Sequence, residues 1–147
     1  MTDWLSRQSF LGAKSDELFS KCRVAVIGLG GGGSHIAQQL AHLGVGNFVL
    51  ADPDYVEGTN LNRLVGATKK DVAKATPKTT VSRRLIKRIN PNAQVLQVAK
   101  EWQEEGRLIA GCDLVFGCVD TYIAREEIER LCRRFMIPLI LALTLPN

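Results

Sequence analysis

Apolar positions in this chain fall into two alternating patterns, and the alternation predicts the architecture. Arg23-Val24-Ala25-Val26-Ile27 is a short β-branched run that ends at glycines, as expected of a strand covered on both faces. A helix follows the glycines, with Ile36, Leu40 and Leu43 recurring at spacings of four and three until Gly44 and Gly46 stop it. Asn47-Phe48-Val49-Leu50-Ala51 is a second strand, and Asp52-Pro53-Asp54 turns the chain away from its end. A loop rich in Asn and Gly runs to about Ala67. Pro77 to Ile89 has helical periodicity, with Val81, Leu85 and Ile89 on one stripe, and Asn90-Pro91-Asn92 ends it. Val95 to Val98 is a strand, Glu104 to Ala110 a short helix, and Leu114 to Cys118 a fourth strand. Tyr122 to Phe135 is a helix with Ile128, Leu131 and Phe135 inside, and Ile137 to Leu143 closes the series as a strand. Asp16 to Lys21 ends a helical N-terminal arm.

Five rounds of strand and helix predict an α/β fold, a Rossmann-like, doubly wound and mostly parallel sheet of about five strands. No linker or repeat interrupts it, so residues 1–147 read as one domain, an arm over 1–21 and a core over 22–147. Apolar residues make up 46% and charged residues 23%, which excludes disorder. No apolar run approaches the roughly 18 residues of a membrane span, and the N-terminus lacks a secretory pattern, so the expected location is cytoplasmic. The net charge is +4, with eight basic residues between Lys69 and Arg88 against one acid, Asp71. That cluster is a solvated helix face or a phosphate contact. With no aromatic interleaved, a nucleic-acid partner is not expected. The four cysteines form no CxxC pair and read as reduced structural thiols.

Gly28-x-Gly30-Gly31-x-Gly33 lies between a strand and a helix, with Asp52 nineteen residues beyond Gly33. Glycines there let backbone N–H groups approach a phosphate or ribose, and the helix beginning near Ser34 adds its positive dipole end. Asp52 suits ribose hydroxyls, as in any dinucleotide site. Arg63 and Lys78 are what a triphosphate needs near the strand ends, and Asp120 suits Mg2+. Each also has a plain reading: Arg63 as a surface residue, Lys78 as a helix-start cation, Asp120 as an N-cap.

Five features in order resemble the ThiF/MoeB family of ubiquitin-activating-type adenylyltransferases, from near Arg7 to about Leu143. They are Arg7-Gln8, the Gly28–Gly33 loop, Asp52-x-Asp54 with Asn60-Leu61-x-Arg63, Pro77-Lys78 before Asn90-Pro91, and Cys118-x-Asp120. The resemblance implies ATP-dependent adenylation of the C-terminal carboxylate of a ubiquitin-like or sulfur-carrier protein with a Gly-Gly tail. It also implies that Gly28, Gly30, Gly31 and Gly33 line the nucleotide, and that Asp52 binds ribose. Asn60, Arg63 and Lys78 would hold phosphates, and Asp120 would hold Mg2+ or sit beside it. Asp54 matches the pattern and counts among the nucleotide-binding residues it implies, without a specific contact. Arg7 corresponds to an arginine that reaches the partner's phosphates, which implies a homodimer.

Leu64 stands where the family commonly has Gln, and Thr121 where it commonly has Asn. The chain stops at Asn147, before the family's zinc-binding cysteine pairs and its thioester-forming cysteine. Cys118 and Cys132 do not replace the latter. Two other readings therefore stand beside the adenylyltransferase: an NAD(P)-binding oxidoreductase domain, and a truncated, non-catalytic nucleotide-binding or dimerisation module. Asn60, Arg63 and Lys78 argue against the first.

Overall fold

The computed structural model describes residues 3–142, with the side chains of 4–142. A 3-10 helix over Asp3–Leu11 leads into α1 (Ser15–Lys21). The core then runs β1 (Arg23–Ile27), α2 (Gly31–His42), β2 (Asn47–Ala51), α3 (Lys69–Ala73), α4 (Lys78–Ile89) and β3 (Gln94–Val98). It continues with α5 (Gly106–Ala110), β4 (Leu114–Gly117), α6 (Tyr122–Phe135) and β5 (Leu139–Leu141). All pairings are parallel and the sheet order is β3-β2-β1-β4-β5. This is the doubly wound topology expected, with its switch point between β1 and β4.

The central strand shows why the sheet is continuous in apolarity. Val24 and Val26 face a layer with Ala37, Leu40 and Ala41 of α2 and Ile86 of α4. Ala25 and Ile27 face the other layer, with Ile109 of α5 and Ile128 and Cys132 of α6. Alternate side chains thus enter different cores, and no position from Val24 to Ile27 is left for a polar residue.

Several expectations need correcting. The α4 stripe turns on Ile86, which is fully buried, while Leu85 and Ile89 are only partly covered. Phe135 is 46% exposed rather than inside α6, where Cys132 takes the buried position one turn earlier. The last strand covers only Leu139–Leu141 of the expected run; Leu143 lies outside the described residues. Among those residues β5 is an edge, and its apolar Ile140 is 49% exposed. No helix among the described residues is long and apolar enough to cross a membrane. All four cysteines are free, and burial pushes Cys112 and Cys118 up to about 11, so both are protonated thiols at neutral pH.

The helix α3 was not foreseen, because five residues carry too little periodicity. Its cap creates it: Thr68 and Asp71 exchange hydrogen bonds in a capping box. Asp71 also receives both Nη1 and Nη2 of Arg84 at 2.9 and 2.8 Å, clamping α3 to α4. The basic cluster is therefore not uniform. Arg84 is consumed by this clamp, and Lys78 by the pair described below.

The Arg84 guanidinium, aided by hydrogen bonds from Thr68, holds the Asp71 carboxyl well below its ordinary value. A lowered pKa means the unfolded chain takes up the proton first as pH falls. The contribution is therefore complete at neutral pH and drains away below about pH 4. Asp71→Asn is expected to cost about 1.5–3 kcal/mol at pH 7. The gap to the parent should narrow as urea denaturation is repeated at lower pH. A gap independent of pH would contradict the assignment.

Candidate functional site

The C-terminal ends of β1, β2, β3 and β4 surround one cleft of about 420 Å³. Its floor is the turn from β1 into α2. Gly28 takes a φ of +88°, and a side chain there would stand 2.6 Å from the Cys118 carbonyl oxygen. A Cβ at Gly33 would come within 1.8 Å of the Gly28 carbonyl oxygen. Both positions are glycine because backbone meets backbone there. At Gly30, by contrast, a Cβ would meet nothing within 4 Å, so internal packing does not demand glycine. The position lines the cleft, and a bare backbone there keeps the space open.

Helix α2 begins at Gly31, capped by Gly30, and not near Ser34. Its first backbone bond runs from the Ser34 N–H to the Gly30 carbonyl at 3.0 Å. The N–H groups of Gly30, Gly31, Gly32 and Gly33 have no acceptor among the described residues. Four unpaired donors at the positive end of a helix dipole make a receptor for an anion. The sequence-based boundary erred because glycine is a poor helix former, and here steric need outranks propensity.

Asp52 closes one wall at 6% exposure. Its Oδ2 accepts the Leu29 N–H at 2.6 Å and its Oδ1 accepts the Asp54 N–H at 2.8 Å. Burial raises its carboxyl above the ordinary value, against the pull of those two N–H groups and of the Lys78 ammonium. Each oxygen retains capacity for another donor. Lys78, whose side chain is 11% exposed, donates its Nζ to Asp54 Oδ2 at 2.7 Å, and its N–H to the Asp54 carbonyl at 3.0 Å.

Arg63 lies across the α2 terminus, where a Cβ on Gly31 would meet its Cδ at 3.3 Å. Its Nη1 donates to the Thr59 carbonyl and to Asn62 Oδ1, at 2.7 and 3.0 Å. The turn that carries it is anchored by buried Leu64 and by the Val65 N–H, which donates to Ser34 Oγ at 3.1 Å. Asp120 is on the opposite wall and has no hydrogen-bond or ion-pair partner among the described residues. It is not the N-cap of α6; that is Thr121, whose Oγ1 accepts the Ala124 N–H at 3.3 Å.

The cleft thus brings together Gly28, Gly30, Gly31, Asp52, Asp54, Arg63, Lys78 and Asp120. Gly33 supports it from behind. Asn60 does not line it: its Oδ1 accepts the Glu57 N–H at 2.9 Å and its carbonyl accepts the Arg63 N–H, so it shapes the turn that presents Arg63. Arg7 does not line it either. Gln8 reaches the carbonyl of His42 and Leu5 packs on Gly44, so the arm sits at the far end of α2. Twelve residues of helix separate the two ends by about 18 Å.

Sequence reasoning missed the wall after β3, where Lys100, Glu101, buried Trp102 and Gln103 line the cleft. Topology could have found them, since they follow a strand's C-terminal end. It also missed buried Arg125, whose Nε donates to the Val119 carbonyl at 3.0 Å behind Asp120.

Fold and cleft define a Rossmann-like α/β chain with an anion-receptive turn at its switch point. The chain belongs to the ThiF family, whose pattern matches residues 5–146. It is 37% identical over 122 residues to the sulfur carrier protein ThiS adenylyltransferase of Escherichia coli K12, covering 82% of this chain and 48% of that protein. It is 33% identical over 140 residues to the tRNA threonylcarbamoyladenosine dehydratase of Bacillus subtilis 168, covering 93% and 54%. Among solved structures, E. coli MccB with ATP superimposes with a TM-score of 0.87 at 25% identity, covering 100% of this chain and 47% of that one. E. coli TcdA in complex with ATP gives 0.83 at 30% identity, covering 93% and 57%. The chain spans about half the length of the curated relatives it matches.

The two glycine environments separate experimentally. Gly33→Ala is expected to destabilise the chain by at least about 3 kcal/mol through the backbone clash. Gly30→Ala should cost about 1 kcal/mol or less, the scale of a cap change. Equal melting-temperature losses would contradict the assignment.

Proposed function

We propose that this chain carries the nucleotide-binding part of an ATP-dependent adenylyltransferase. Its substrate on this reading is the C-terminal carboxylate of a ubiquitin-like or sulfur-carrier protein with a Gly-Gly tail. The observation that carries the reading is the row of four acceptor-less N–H groups at the α2 terminus, with Arg63 and Lys78 on the same cleft. Asp52 supports it from the wall it shares with Asp54 and Lys78, where its spare lone pairs can accept ribose hydroxyls. Relatives whose names include an adenylyltransferase, and neighbours solved with ATP, support it further. Residues 1–147 act as one nucleotide-binding domain in this reading.

The chemistry asks little covalent work of the protein. A carboxylate is ionised at neutral pH, so its oxygen attacks the α-phosphorus without a general base, and the bond to pyrophosphate breaks. The obstacle is charge: one anion approaches another, and a third departs. Residues 30–33 hold phosphate oxygens by N–H donation, while Arg63 and Lys78 take up charge on the departing oxygens. A Mg2+ ion, when bound, adds neutralising charge on the phosphates. Asp120 fits it, being a carboxylate on the cleft wall with no partner among the described residues, and Mg2+ is commonly held by one or two carboxylates plus phosphate oxygens. Hydride transfer gains no comparable support, because a nicotinamide has no use for the two cations.

Arg7 lies too far along α2 to reach the cleft of its own chain. A phosphate contact by Arg7 therefore requires a second copy, which supports a homodimer.

Arg63→Ala is expected to lower ATP–pyrophosphate exchange, measured with a diglycine-tailed carrier, by roughly 10²–10³-fold, the scale of losing one preorganised donor. Exchange near the parent rate would remove Arg63 from the mechanism, and no exchange by the parent with any such carrier would overturn the function.

A further inference from the structure

The charged groups lining the cleft do not favour a polyanion as they stand. Four carboxylates face three cations. Of the cations, Lys100 is held by Glu104 and Glu105 at 3.3 and 2.8 Å. Lys78 is held by Asp54 at 2.7 Å. Only Arg63 has neutral partners, a backbone carbonyl and an amide oxygen. Among the described residues, a triphosphate entering this cleft meets one cation free of carboxylates and two already neutralised.

The two members of the Lys78–Asp54 pair are unlike. The lysine side chain is 11% exposed and the aspartate side chain 63%. An ammonium so covered needs an anion beside it, whereas a carboxylate so exposed is readily rehydrated. Asp54 is also fixed by its backbone, donating to Asp52 and accepting from the Lys78 N–H. Its main chain therefore stays in place when its carboxylate lets go.

We propose that Asp54 is the resident counter-ion of Lys78, which the β- and γ-phosphates of a nucleoside triphosphate displace. This rests on the nucleotide reading above and gives Asp54, expected only to be among the nucleotide-binding residues, a specific role. The cleft then discriminates by phosphate number. A nucleoside or monophosphate offers too little charge to replace Asp54 and leaves the pair intact. A triphosphate exchanges one anion for another, so the lysine is never left bare. Affinity for triphosphate is lower than the lysine alone would give, by the strength of a pair exposed on one side.

Calorimetric titration of adenosine, AMP and ATP, each with Mg2+, into the parent and Asp54→Asn tests the exchange. Asp54→Asn is expected to bind ATP about 3- to 10-fold more tightly, the range for one solvent-facing ion pair and a removed like charge. Adenosine and AMP should bind within about twofold of the parent. The ATP gain should shrink when the same change is made in a Lys78→Ala background, which a merely structural role would not produce. Asp54→Ala, which keeps the backbone contacts, should repeat the ordering. Unchanged or weaker ATP binding with adenosine unaffected would overturn the proposal. So would loss of all three ligands by both variants, since Asp54 would then be holding the site together. Failure of the parent to bind ATP at all would instead sink the nucleotide reading itself.

Discussion

One buried carboxylate joins the parts of this cleft. Asp52 accepts the Leu29 N–H with one oxygen and the Asp54 N–H with the other, so the turn after β1 and the turn after β2 share an anchor. Asp54 in turn accepts from the Lys78 main chain and side chain, which brings the start of α4 into the same frame. Two crossover connections, β1 to β2 and β2 to β3, are thereby tied at the strand ends, where a doubly wound sheet binds its ligands. The cost is visible in the carboxyl itself, whose pKa burial raises. A carboxyl held against burial is tolerated where its acceptor capacity is used.

The glycines serve two separate ends in the same turn. Gly28 and Gly33 let the turn and helix close on each other and on Cys118, and any side chain there collides with backbone. Gly30 has room for a side chain and carries none. The packing glycines are what bring the α2 terminus, with its unpaired N–H groups, to the cleft floor. Arg63 completes the arrangement because a bare Gly31 lets its stem lie over that terminus.

Much of this was legible in the sequence, for reasons that differ by residue. The five strands were readable because parallel strands buried on both faces are continuously apolar, as Val24 to Ile27 are. Asp52, Asp54, Arg63, Lys78 and Asp120 were placed near strand ends by spacing alone, and all five line the cleft. Less visible were features that depend on a neighbour. Ile86 packs with Ala37, Leu40 and Ala41 of α2 and is buried more fully than Leu85, and periodicity alone cannot fix which face meets a neighbour. The start of α2 at Gly31 follows from the Gly33–Gly28 contact, not from propensity. Asn60 looked like a phosphate ligand, but its amide oxygen is spent on the Glu57 N–H. Trp102 gave no local signal, since only the strand order places it opposite the glycine turn.

The account stands or falls on the α2 terminus as the place where a phosphate sits. Amide ¹⁵N–¹H shifts of the labelled chain, followed as Mg2+ and ATP are added, test this at single residues. The account predicts the largest downfield amide-proton shifts at Gly30, Gly31, Gly32 and Gly33, as lone N–H donors acquire charged acceptors. Saturable ATP binding that leaves those four resonances in place would contradict it.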